Sequence, residues 1–122
     1  MIYFRKGDMF EVEVEALVNT VNTVGNMGKG LALAFKNKFP ENNGVYIEAC
    51  KNNQVKTGEM FVVKAADRGA LRYIVNFPTK QHWRNPSQML WVEQGLASLR
   101  EFIINNDIKS IAIPALGAGL GG

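Results

Sequence analysis

Residues 22–30 read NTVGNMGKG and place three glycines within six positions, Gly25 to Gly30. The apolar run Ala16–Val18 comes before them, and after them Leu31–Phe39 carries no breaker until Pro40. An apolar run, a glycine-rich loop and a helix in that order form a strand-loop-helix unit, which commits the chain to a sheet covered by helices. Glycines at such a junction let backbone N–H groups approach an anion closely, and the helix N-terminus adds partial positive charge. The loop is either such a cradle or a plain connection in which Gly30 permits a tight turn. It is not a Walker loop, which needs glycine at 23 and Ser or Thr at 30, where this chain has Thr23 and Gly30.

The other segments extend the same alternation. Ile2–Phe4 predicts a strand that runs into Gly7-Asp8, and Gly44–Asn52 predicts a second helix. Met60–Ala65 and Arg72–Phe77 are β-rich runs around Asp67-Arg68-Gly69, hence adjacent strands joined by a turn. Asn85-Pro86-Ser87 signals a helix start, after which Met89, Val92, Leu96, Leu99 and Ile103 recur at helical spacing. Ile108–Ile113 predicts a last strand. With 122 residues and no repeat or linker, the chain is one α/β domain spanning 1–122.

Charge excludes little. A net charge of +3, spread without a basic block, tolerates a phosphate-bearing ligand or nucleic acid without requiring one. The single cysteine, Cys50, rules out an internal disulfide, and with one histidine no protein-built metal site is expected. Cys50 falls in the helical stretch VYIEACKNN and is expected to be a buried structural thiol. The start, MIYFRKGDM, shows no signal-peptide pattern and no run approaches membrane-spanning length, so a cytoplasmic protein with no membrane partner is expected.

A second glycine loop closes the sequence. Gly117 to Gly122, GAGLGG, spells the dinucleotide fingerprint, yet that motif should open a βαβ unit and here nothing follows. If the strands before the two loops are parallel neighbours, both loops emerge at one sheet edge and can clamp a diphosphate. A glycine loop directly after a core-like strand is also an abrupt end, so a further piece of the domain is expected beyond Gly122. Asp8 suits either a turn or an adenine amino group, and Asn19 and Asn22 suit either loop fixation or a sugar hydroxyl. In NFPTKQHWR, residues 76–84, a lysine, the chain's only histidine, a tryptophan and an arginine fall within five positions, Lys80 to Arg84.

In this order, GDM at 7–9, ALVNTVN at 16–22, GNMGKG at 25–30 and IAIPALGAGLGG at 111–122 closely resemble the macrodomain, an ADP-ribose-binding module. The resemblance covers the whole chain and implies a mixed central sheet flanked by helices in three layers. It implies that Asp8, with Met9, meets adenine. The diphosphate would lie between Gly28, Gly30, Leu31, Ala32 and Leu33 on one side and Gly117, Ala118, Gly119, Leu120 and Gly121 on the other. Asn22 would sit by the distal ribose, with Asn19, Thr20, Val21 and Thr79 nearby.

MGKGLALAFKNKFP together with NFPTK is similar to the DarG-type branch, which removes ADP-ribose from thymidine in single-stranded DNA against a DarT-type toxin. In that branch a lysine of a T-K step is catalytic, which implies Lys80. Beside it His82 is either a rival proton shuttle or a surface residue, Trp83 would stack on a base or pack on the next helix, and Arg84 would pair with a DNA phosphate, the three being candidate DNA contacts. A related enzyme uses an aspartate in the second loop region, where this sequence has Gly121 and Gly122, so no catalytic carboxylate is assigned. The implied partners are ADP-ribose, ADP-ribosylated DNA and the toxin, with no cofactor and no metal. Two other outcomes remain open: a non-catalytic ADP-ribose reader, or a glycohydrolase acting on protein carboxylates.

Overall fold

The computed structural model describes residues 2–3, 10, 13–28, 30–81 and 88–114. In chain order the elements are β1 (Ile2–Tyr3), β2 (Ala16–Asn22), α1 (Gly30–Lys38), α2 (Pro40–Lys51), β3 (Phe61–Arg68), β4 (Leu71–Lys80), α3 (Met89–Asn105) and β5 (Ile111–Ala112). The strands form one sheet in the order β1-β5-β2-β4-β3. Only β3 runs antiparallel, to β4, through the expected turn; β1–β5, β5–β2 and β2–β4 are parallel. This is the mixed sheet implied by the resemblance, and β2 and β5 are the parallel neighbours that two converging loops require.

Alternation along the central strands divides the core. Ala16 and Val18 of β2 and Val75 and Phe77 of β4 pack with Leu99 of α3 on one face. Leu17 and Ile74 meet Phe35 and Phe39 beside α1 on the other, and further along that face Val21 meets Tyr46 and Ala49 of α2. Three layers result, with both faces of β2 and β4 buried, as parallel strands require. At the N-terminal edge of β2, Glu15 binds Arg72 at 2.9 Å and accepts the Lys109 amide at 2.7 Å. The Arg72 hydrogen bond, with the Lys109 amide, holds the Glu15 carboxyl below its ordinary value.

Several boundaries differ from the sequence expectation. Helix α2 starts at Pro40, four residues before Gly44, because proline is well suited to the first helical turn, where its missing N–H costs nothing. Strand β4 runs on to Lys80 through Pro78. Its β3 pairing reaches only Asn76, so the proline stands where one edge is already unpaired. The last strand shrinks to Ile111–Ala112, since Asp107 turns at φ 50° and the Ile108 amide donates back to Ile103 of α3. The expected helix-start residues Asn85, Pro86 and Ser87 lie outside the described residues, and Gln88 holds the N-cap position without a side-chain bond.

Helix α3 approaches the sheet through Gly95, where a Cβ would run into the Phe77 ring and come within 3.2 Å of Met60 Cε. Gly95→Ala should therefore lose more to overpacking, about 1–3 kcal/mol, than the ~1 kcal/mol that alanine gains in helix propensity. Urea denaturation should show net destabilisation, and a variant more stable than the parent would contradict this packing.

Candidate functional site

The carboxyl ends of β2 and β4 form the site. Their register runs Val21↔Pro78 and then Asn22↔Lys80, so Thr79 is an extra residue on β4. Such a bulge re-aims the strand, and as a result two consecutive residues, Thr79 and Lys80, both line one cavity. The cavity measures about 340 Å³, and its other lining residues are Thr20, Val21, Asn22, Asn26, Gly28, Leu31 and Ala32. That is within the size range of small-molecule sites.

The glycine loop takes its shape from one side chain. Asn22 Oδ1 accepts the amides of Val24, Gly25 and Asn26 at 3.1, 3.1 and 3.2 Å. Its Nδ2 donates to the Asn26 carbonyl at 2.9 Å. The opposite amide orientation would set an NH2 group against three N–H donors, so the network fixes the assignment. Tyr46 Oη, from α2, lies 2.8 Å from both Asn22 Oδ1 and the Asn22 carbonyl oxygen. Tyr46 is fully buried; that burial, with Cys50 beside it, pushes its phenol pKa upward and keeps it a donor.

Gly25 holds φ +85°, and its Cα side lies against Cys50, whose Cβ would be 3.5 Å from any Cβ added there. Burial pushes the Cys50 thiol up as well, the opposite of what a thiolate nucleophile needs. At the far end of the loop Gly30 opens α1 with φ +56°. The first turn of α1 carries no acidic side chain, so the positive end of its dipole faces Gly28 and the cavity without an internal counter-charge.

Of the residues singled out in the sequence, Thr20, Val21, Asn22, Gly28, Leu31, Ala32, Thr79 and Lys80 converge on the cavity. Asn19, Gly30 and Leu33 do not line it. Asn19 is fully buried, with Nδ2 3.5 Å from Asn76 Oδ1 and 3.7 Å from Met27 Sδ, and Leu33 is 37% exposed on α1. Asp8, Met9, His82, Trp83, Arg84 and Gly117, Ala118, Gly119, Leu120 and Gly121 lie outside the described residues. Asn26 was missed, although an asparagine inside the glycine loop, four residues after Asn22, was a visible signal. Among the described residues no cluster of three or more His, Cys, Asp or Glu could hold a metal ion. Nor is any helix there long and apolar enough to cross a membrane.

The sequence profile of the Macro domain family matches residues 18–122. Over its full length the chain is 55% identical to a DNA ADP-ribosyl glycohydrolase of Thermus aquaticus and covers 34% of it. The macrodomain of Mycobacterium tuberculosis DarG superposes with a TM-score of 0.94 at 48% identity, covering all of this chain and 80% of that one. Thermosipho africanus DarTG in complex with ADP-ribose gives a TM-score of 0.85 at 40% identity, covering 95% of this chain and 33% of that one. The chain thus spans about a third of the length of the DNA ADP-ribosyl glycohydrolases it matches, 34% and 35% of two of them.

If Asn22 organises the loop, Asn22→Ala should cost about 2 kcal/mol or more, since several donors lose their acceptor together, and Tyr46→Phe about 1 kcal/mol. Amide hydrogen exchange at Val24, Gly25 and Asn26 should accelerate in the alanine variant. Unchanged protection there would show that the loop holds its shape without Asn22.

Proposed function

The chain belongs to the macrodomain family, and from that premise we propose that it is a glycohydrolase unit that releases ADP-ribose from thymidine in single-stranded DNA. The observation that carries the reading is the convergence of Lys80 with the glycine loop and the α1 N-terminus on one cavity. It is supported by the 55% identity to a protein named DNA ADP-ribosyl glycohydrolase, and by a 40%-identical structure described as DarTG with ADP-ribose. The physiological context is then opposition to a DarT-type toxin that attaches the ADP-ribose.

In this reading the diphosphate lies against the loop amides and the positive end of α1, which brings the distal ribose toward Asn22 and Lys80. Cleavage of the C1″–N bond passes through an oxocarbenium-like transition state. As a free amine, Lys80 attacks C1″ while the bond's electron pair leaves with the base nitrogen, which then takes a proton. The opened sugar remains as a Schiff base that water hydrolyses to ADP-ribose and free lysine. As an ammonium, Lys80 instead stabilises the departing base anion while water attacks C1″. Both routes consume one water and need no cofactor.

Lys80→Ala should abolish release of ADP-ribose from a thymidine-modified oligonucleotide, read by product mass, while calorimetry still detects ADP-ribose binding. Turnover at the parent rate would remove Lys80 from the mechanism. Borohydride added during turnover separates the two routes, because only the amine route leaves an ADP-ribosyl adduct on the protein.

A further inference from the structure

The extra residue in β4 decides where Lys80 points, and something must hold that register. Among the described residues, β4 no longer pairs with β3 beyond Asn76, and β2 carries its last residues to the Asn22↔Lys80 pair. Strand ends held on one side open readily. An unbulged alternative, pairing Asn22 with Thr79, would be one residue out of step and would turn Lys80 to the opposite face. Just past the paired residues, Thr23 ties the end of β2 to the residue after β4. Its amide and its Oγ1 both donate to the Gln81 carbonyl, at 3.3 and 3.0 Å.

We propose that Thr23 is a positioning residue for Lys80: its doubled bond to Gln81 selects the bulged register and so sends the lysine into the cavity. With Asn22 opposite Thr79, Lys80 and Gln81 would each move one residue further along β2, which takes the Gln81 carbonyl away from its present place at Thr23. Thr23 is absent from the cavity lining, and its hydroxyl is committed to Gln81, so it acts through the backbone. A lysine side chain rotates about four bonds, which leaves the direction of its Cα–Cβ bond as the property the fold can fix. The inference rests on the reading of Lys80 as the catalytic group.

The test compares Thr23→Val, which keeps the shape but removes the hydroxyl, with Thr23→Ser, which keeps the hydroxyl, using Lys80→Ala as reference. The rate constant for ADP-ribose release from modified oligonucleotide should fall about tenfold in Thr23→Val, with ADP-ribose affinity within about twofold of the parent. Thr23→Ser should release at close to the parent rate. Thr23→Val at the parent rate, equal losses in both Thr23 variants, or loss of affinity instead of rate would each overturn the proposal. Release by Lys80→Ala at the parent rate would instead remove the reading beneath it, an outcome distinct from the other three.

Discussion

The Asn22 carboxamide is the interaction on which the site depends. It stands at the end of the central strand β2 and uses both its atoms, accepting three successive loop amides and donating to the Asn26 carbonyl. Each neutral hydrogen bond contributes about 1 kcal/mol net, so the group matters more for geometry than for total stability. It curls a glycine-rich segment into one conformation, and Tyr46 anchors that conformation to α2. Because Asn22 is also in register with Lys80, the side chain that shapes the loop sits beside the residue assigned to the chemistry.

Beneath the cavity the core becomes polar. Asn42 of α2 and Asn76 of β4 exchange hydrogen bonds at 2.9 and 3.2 Å, and Asn76 also donates to the Phe61 carbonyl. Asn19, opposite Asn76 in the register, joins them and reaches Met27 of the glycine loop. Buried amides are costly unless satisfied, and here Asn19 Oδ1 has no partner among the described residues, while each pairing that is made demands a particular placement of α2, β2, β3 and β4. An apolar core would tolerate small slips that this network does not. The region under the loop is therefore held by directional hydrogen bonds, where the Gly95–Phe77 contact on the opposite face achieves close packing by shape alone.

Much of this was legible from residue order. The strand-loop-helix unit, the β3–β4 turn and the amphipathic α3 follow from hydrophobic periodicity and turn residues. Less visible were features set by partners distant in sequence. Asn19-Thr20-Val21-Asn22 looks like a polar loop, yet it is strand because β4 lies beside it. The bulge at Thr79 is a property of two strands at once, and the buried Asn42–Asn76 pair joins residues 34 apart, so neither leaves a local pattern. Tyr46 is one of several apolar residues in its helix until the fold points its hydroxyl at Asn22.

Sheet, loop and bulge meet at one cavity, between the Asn22-organised loop and the end of β4, and the proposed function requires the ligand to enter there. Amide correlation spectra recorded through an ADP-ribose titration test it directly. The largest shifts should fall on Val24 to Gly28, on Leu31 and Ala32, and on Thr79 and Lys80, while the outer face of α3 stays silent. Saturable binding with shifts centred on α3, and none in the loop, would contradict it.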